Sequence, residues 1–139
     1  MSIESKLAAI REDFELFDDP RDIFIQIMDI GKQAPAFDPA HRVDKNRVPG
    51  CASQAWVVWQ KSPDGNYQFQ VDSDANIVKG LLTLLATVLS GERAEIIQKV
   101  DPREFLAALG LSDTITSQRT NGFISALEKV KAAIRKESE

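Results

Sequence analysis

The chain has one cysteine, one histidine and one tyrosine in 139 residues, and the first two scarcities each remove a class of chemistry. With Cys51 alone no internal disulfide can close, so covalent sulfur chemistry at this position needs a second molecule. Four-coordinate zinc takes several Cys or His ligands, and one of each would leave only carboxylates to complete it. No stretch approaches the roughly 18 consecutive apolar residues of a membrane span. Met1-Ser2-Ile3-Glu4-Ser5-Lys6 does not read as a basic segment leading into an apolar one. Lys and Arg number 17 against 21 Asp and Glu and are scattered, which argues against the basic patch a nucleic-acid surface requires. Walker loops, a Rossmann glycine set and a nucleophile elbow are absent too. The expectation is a cytoplasmic protein with no nucleic-acid or membrane partner, in a compartment that keeps a lone thiol reduced.

What is there is ordinary for a globular protein: 43% apolar and 27% charged residues. A chain of this length buries about two-thirds of its unfolded surface, enough for a core without a disulfide or a metal. The expectation is one domain over residues 1–139.

Ile3, Leu7, Ile10 and Phe14 recur at helical spacing and predict a first amphipathic helix. Asp19 as N-cap, Pro20 at the first helical position and Asp22 in the first turn open a second, burying Ile23, Ile27 and Ile30. The stretch from Pro35 to Gly50 holds three prolines and little periodicity, and irregular segments longer than about 12–15 residues are usually functional or disordered. Next, Gln54–Gln60 and Tyr67–Asp72 flank Ser62-Pro63-Asp64-Gly65, a turn in a hairpin. Tyr67, Phe69 and Val71 alternate with Gln68 and Gln70, while the first strand is apolar on both sides and is expected to lie centrally, with a third strand near Arg42–Val48. Asp72-Ser73-Asp74 then reads as the cap of a helix over about 75–89, apolar nearly all round and so the buried centre. Gly80 inside it is poor for a helix and predicts the close approach of a neighbouring segment. Two short helices follow, and a last one from about Ser117 turns Phe123, Leu127, Val130 and Ile134 inwards. Helices, a hairpin, then helices without repeating βαβ units predict an α+β fold.

Cys51 stands in Gly50-Cys51-Ala52-Ser53-Gln54, between the Pro-punctuated stretch and the apolar run Ala55-Trp56-Val57-Val58-Trp59. A cysteine kept for packing sits more often inside a periodic apolar segment, so this one reads as a thiol on a tip, with an inert structural cysteine as the competing reading. His41, ten residues upstream, is either a base or orienting group for that thiol or a solvated loop residue. Asp72 and Asp74 read as helix caps before they read as an acid–base pair. Arg119 lies in the first turn of the last helix, where a cation opposes the dipole. It is a surface arginine or a cation placed beside a thiolate or persulfide.

Three motifs in order, Asn46-Arg47-Val48-Pro49-Gly50-Cys51-Ala52-Ser53-Gln54-Ala55-Trp56, Asp72-Ser73-Asp74-Ala75-Asn76-Ile77-Val78-Lys79-Gly80 and Ser117-Gln118-Arg119-Thr120-Asn121-Gly122, resemble the SufE family of sulfur-acceptor proteins over nearly the whole chain. The resemblance implies an α+β fold like that of iron–sulfur scaffolds of the IscU type, a small antiparallel sheet packed against helices with the reactive cysteine on a loop tip. It implies Cys51 as the reacting thiol, supported by Gly50, Ser53, Gln54, Asp74 and Arg119. The partners it implies are a pyridoxal-phosphate cysteine desulfurase, SufS-like, which gives sulfane sulfur to Cys51 and is stimulated in return, and an iron–sulfur scaffold that receives it. No cofactor or metal of the chain's own is implied, and the role is partner and activator rather than stand-alone enzyme. Ala52 departs from the Gln or Glu that often flanks the thiol in the family. Against this stand an interaction module with an incidental cysteine and a thiol redox sensor.

Overall fold

The computed structural model describes residues 2–137. Helix α1 (Ile3–Phe14) starts where the Ser2 side chain accepts from the Ser5 amide, and it buries Ile3, Leu7 and Phe14 as their spacing predicts. Helix α2 (Pro20–Lys32) starts at Asp19, whose carboxylate accepts from the Arg21 amide. The Arg21 side chain also bonds that carboxylate, and this bond first, the amide second, holds Asp19 below the usual carboxylate range. Ile27 is wholly buried, with Ile23 and Ile30 packed half-buried beside the core.

The hairpin is β1 (Ala55–Lys61) and β2 (Asn66–Ser73), with Val57 opposite Val71 and Trp59 opposite Phe69. Gly65 N donates to Ser62 O at 2.9 Å across the turn. Tyr67, Phe69 and Val71 are buried, and Gln68 and Gln70 are exposed. The sheet departs from expectation in two ways. In place of a strand near Arg42–Val48 there is one bridge, Arg47 to Trp56, because Pro39–His41 and Asp44–Asn46 wind into 3-10 turns. The third strand is the two-residue β3 (Glu92–Arg93), paired with β2, so β2 and not β1 is central. The second apolar row of β1, Trp56 and Val58, is only half-buried, and over its first member the Arg42 guanidinium stands 6.0 Å from the Trp56 ring. An apolar row reads the same whether a strand or an arginine stem lies over it.

Helix α3 (Asn76–Leu89) buries ten of its fourteen residues and is the centre of the molecule, touching β2, α2 and α1. Each fully buried leucine here contributes about 1.5–3 kcal/mol. Gly80 answers its prediction: a Cβ there would overlap the Ile27 carbonyl of α2, and one on Gly31 would stand 2.6 Å from Asn76 O. The two helices thus meet backbone to backbone. Neither Asp72 nor Asp74 caps α3. Ala75 occupies the cap position without a side-chain bond, and Ser73 Oγ accepts from Ala75 N at 3.2 Å. Both carboxylates are engaged elsewhere, as described below.

Helices α4 (Ala94–Gln98) and α5 (Pro102–Ala108) follow, and α6 (Ser117–Glu137) closes the core with Phe123, Leu127, Val130 and Ile134. At its far end the Glu137 carboxylate accepts from Trp59 Nε1 and Tyr67 Oη, both at 3.2 Å. Among the described residues this is an α+β architecture of six α-helices and one three-stranded antiparallel sheet.

Candidate functional site

Cys51 sits at the tip of a loop that both neighbouring strands' ends hold shut. At the neck, Val48 N donates to Ala55 O at 2.8 Å, and Val48 is buried at 2%. Pro49 and Gly50 then turn the chain, with Gly50 at φ 72°, the residue order and sign a type II turn needs. A side chain at Gly50 would be strained in that conformation.

The downstream foot is tied to the end of β2. Gln54 N donates to Asp74 Oδ1 at 3.0 Å, Asp74 N donates to Gln54 O at 3.1 Å, and Ser73 Oγ donates to the same carbonyl at 2.7 Å. Asp74 and Gln54, named from the sequence, therefore act together through Gln54's backbone. Asp72, next to them, is the one buried charged residue among those described, paired with Arg42 Nε at 2.6 Å and Lys79 Nζ at 3.4 Å. These residues and Trp56 line a surface hollow of about 580 Å³ beside the foot of the loop.

The thiol itself rests on α6. It is half-buried, makes no hydrogen bond among the described residues and lies over Gly122, where a Cβ would stand 3.1 Å from Cys51 Sγ. Along the same face, a Cβ on Gly50 would lie 3.7 Å from Ser125 Oγ, and Lys129 Nζ donates to Lys45 O at 2.9 Å. The loop therefore lies along one face of the helix at positions 122, 125 and 129, three and four residues apart.

Arg119 is one turn before Gly122. Its amide donates to Thr116 Oγ1 at 3.4 Å and its guanidinium stands 5.2 Å from the Phe24 ring of α2, with no hydrogen bond to Cys51. The aromatic face offsets a cation's cost at a helix start. Ser53 is half-buried in the loop and Ala52 exposed. His41 stands apart from the thiol, edge-on to Phe37 at 6.0 Å and in a hollow with Lys45, Asn46, Val58 and Trp59. No three His, Cys, Asp or Glu among the described residues converge as metal ligands, and no helix among them is long and apolar enough to cross a membrane.

The three sequence motifs thus converge on one place: the first carries the thiol, the second ties its foot, and the third is the surface it rests on. The family model for SufE, described as an Fe-S metabolism associated domain, matches residues 8–134. The chain belongs to the SufE family. An uncharacterised SufE-like protein of Rhizobium meliloti is 33% identical over 131 residues, covering 92% of this chain and 94% of the relative. The chloroplastic/mitochondrial SufE-like protein 1 of Arabidopsis thaliana is 32% identical over 123 residues, 88% of this chain but 33% of that longer protein. The solution structure of a hypothetical protein from Thermus thermophilus superposes with a TM-score of 0.75 at 26% identity, covering 94% of both chains.

In this SufE protein the residues to which sequence reasoning gave no role are Gly122, which only closes the third motif, Ser125 and Lys129. Gly122 carried a usable signal: like Gly80, it is a glycine inside a helix, where only a close neighbour offsets its poor propensity. Ser125 and Lys129 carried none, since small and charged residues on a helix surface are commonplace.

Proposed function

We propose that Cys51 accepts sulfane sulfur from a pyridoxal-phosphate cysteine desulfurase, stimulates that enzyme by relieving it of its persulfide, and hands the sulfur to an iron–sulfur scaffold. The Cys51 thiolate attacks the outer sulfur of the donor's persulfide. A new S–S bond forms at Cys51 as the donor's breaks, the donor cysteine leaves as a thiolate, and nothing is oxidised or reduced overall. The observation that carries this reading is the sole thiol of the chain, unbonded at the tip of a loop tied at both feet and resting on a helix. A tied loop shelters a reactive sulfur, and one released at a partner's surface presents it. The lack of a second cysteine supports the same reading, since a resolving thiol would discharge the persulfide as sulfide before delivery. Ser53, Gln54, Asp74 and Arg119 serve by holding and aiming the loop, and the reaction belongs in the reducing cytoplasm.

Intact-mass measurement after mixing the protein with a desulfurase and cysteine tests it. The wild type gains the mass of one sulfur atom at Cys51 and the folded Cys51→Ser variant gains none and no longer stimulates the desulfurase. Undiminished stimulation by Cys51→Ser overturns the proposal. Oxygen gained with peroxide but no sulfur with desulfurase makes Cys51 a redox sensor, and no gain in either makes the protein an interaction module.

A further inference from the structure

We propose that Gly122 is a positioning residue: by having no side chain it makes the seat on α6 in which the Cys51 thiol rests, and so keeps the loop closed until a partner lifts it. The inference deepens the sulfur-acceptor reading and rests on it only for the identity of that partner.

The helix has no use of its own for this glycine. Gly122 is buried six residues into α6, beyond the terminal turn where glycine serves as a cap, and it leaves the backbone more freedom to lose than any other residue. Its small size answers one neighbour. A Cβ at 122 meets only Cys51 within 4 Å, the sulfur at 3.1 Å and Cβ at 3.7 Å, whereas Gly31 and Gly80 answer the backbone of a neighbouring helix. The vacant volume is therefore occupied by the thiol and by nothing that holds the fold together.

The same face explains why the seat governs the whole loop. One turn on, Ser125 lies under Gly50, and a further turn on, Lys129 holds the Lys45 carbonyl. Between those two supports and the Asp74 foot, Gly122 is the point of α6 that the thiol itself touches, at the edge of the core against which Cys51 packs. A methyl group there is closer to sulfur than ordinary contact permits, and the neighbour that must yield is a rotatable side chain on a loop tip. The sulfur, as the end of a rotatable side chain, is the group that must give by a few tenths of an ångström, and the proposal is that it gives toward solvent.

The test uses the isolated protein, with no desulfurase, so that its failure is separate from a failure of sulfur loading. Iodoacetamide alkylation of Cys51 is followed by intact mass in wild type, Gly122→Ala and Gly122→Val. The seat predicts a several-fold faster reaction in Gly122→Ala and a faster one still in Gly122→Val, with unchanged far-ultraviolet circular dichroism. Equal rates in the three folded proteins overturn the proposal. Thermal melts supply a second readout: Gly122→Ala raises Tm more in a Cys51→Ala background than in the presence of the thiol, because removing the sulfur removes the conflict and leaves alanine's better helix propensity. An equal Tm change in both backgrounds, or loss of folding in both, shows that the space at 122 is not the thiol's and also overturns it.

Discussion

Asp72 and Asp74 stand two residues apart and do opposite work. Asp72 is 3% exposed and sits between Arg42 and Lys79, so its charge is compensated where little water reaches it. Asp72→Asn leaves both cations without their counter-charge, and because Arg42 and Lys79 keep partial contact with solvent the expected loss lies near the lower end for breaking a buried pair, about 3 kcal/mol by urea unfolding. Asp74 is exposed and accepts from the Gln54 amide. Asp74→Ala is expected to cost only about 1 kcal/mol, yet to accelerate alkylation of Cys51, because one of the ties on the loop's foot is gone. An unchanged alkylation rate would mean that the Ser73 and backbone ties alone hold the foot. Arg119→Ala is expected to lose the stacking on Phe24, about 0.5–1 kcal/mol, and to slow sulfur loading in the proposed reaction. Arg119→Lys should retain only part of both, since an ammonium lacks the planar guanidinium. Wild-type loading rates in both folded variants would remove Arg119 from the site. At this scale the sequence pointed to residues that the structure gathers around one loop, but not to what each of them touches. Asp72 and Asp74 read as caps because a local rule takes them first, whereas the Arg42 cation and the Gln54 amide that claim them arrive from 30 and 20 residues away.

Among the elements, the crossing of α2 and α3 is the most constrained. A Cβ on Gly80 would overlap the Ile27 carbonyl, and since both are backbone no rotamer change relieves it. Gly80→Ala is therefore expected to destabilise by about 3 kcal/mol, the upper end for overpacking, read as a lower urea midpoint. A midpoint equal to wild type would show that the helices can part without cost. The six α-helices were legible from periodicity and end signals, though the cap read for α3 was not its cap, and the hairpin was legible from alternation and its turn. The order of the sheet was not. Glu92–Arg93 is too short to carry a period, and the outer row of β1 is apolar without being covered by a strand. The Pro-rich stretch held more structure than its composition suggested, with Phe37 and Val48 buried on either side of two 3-10 turns.

On the scale of the molecule, α6 joins two distant places: at one end the seat of the thiol, and at the other Glu137, holding Trp59 and Tyr67 of the sheet. Its 21 residues span about 31 Å at the usual rise. Tyr67 reports on the far end. Burial first, then the bond to Glu137 and its charge, raise the phenol above its ordinary value of 10.0. Below that value both folded and unfolded chains hold the proton and the contribution to stability is complete. Above it the unfolded chain releases the proton first, so stability falls as pH rises until the folded phenol ionises as well. The decline in Tm above pH 10 should be steeper in wild type than in Tyr67→Phe. Because the chain has one tyrosine, tyrosinate absorbance follows this group alone, and a midpoint at the ordinary value would refute the shift.

The neck of the loop also sets a leash. Val48 is bonded to Ala55, and Cys51 is three residues beyond it, so even a fully lifted loop cannot carry the Cys51 Cα more than about 11 Å from that anchor, with the side chain's own two bonds to sulfur beyond it. This is no long swinging arm. In the proposed reaction a donor whose sulfur lies deeper than that below its own rim would be out of range, so donor and acceptor would have to meet face to face, and the depth of the donor's mouth would become a criterion of partner choice that the length of three residues imposes.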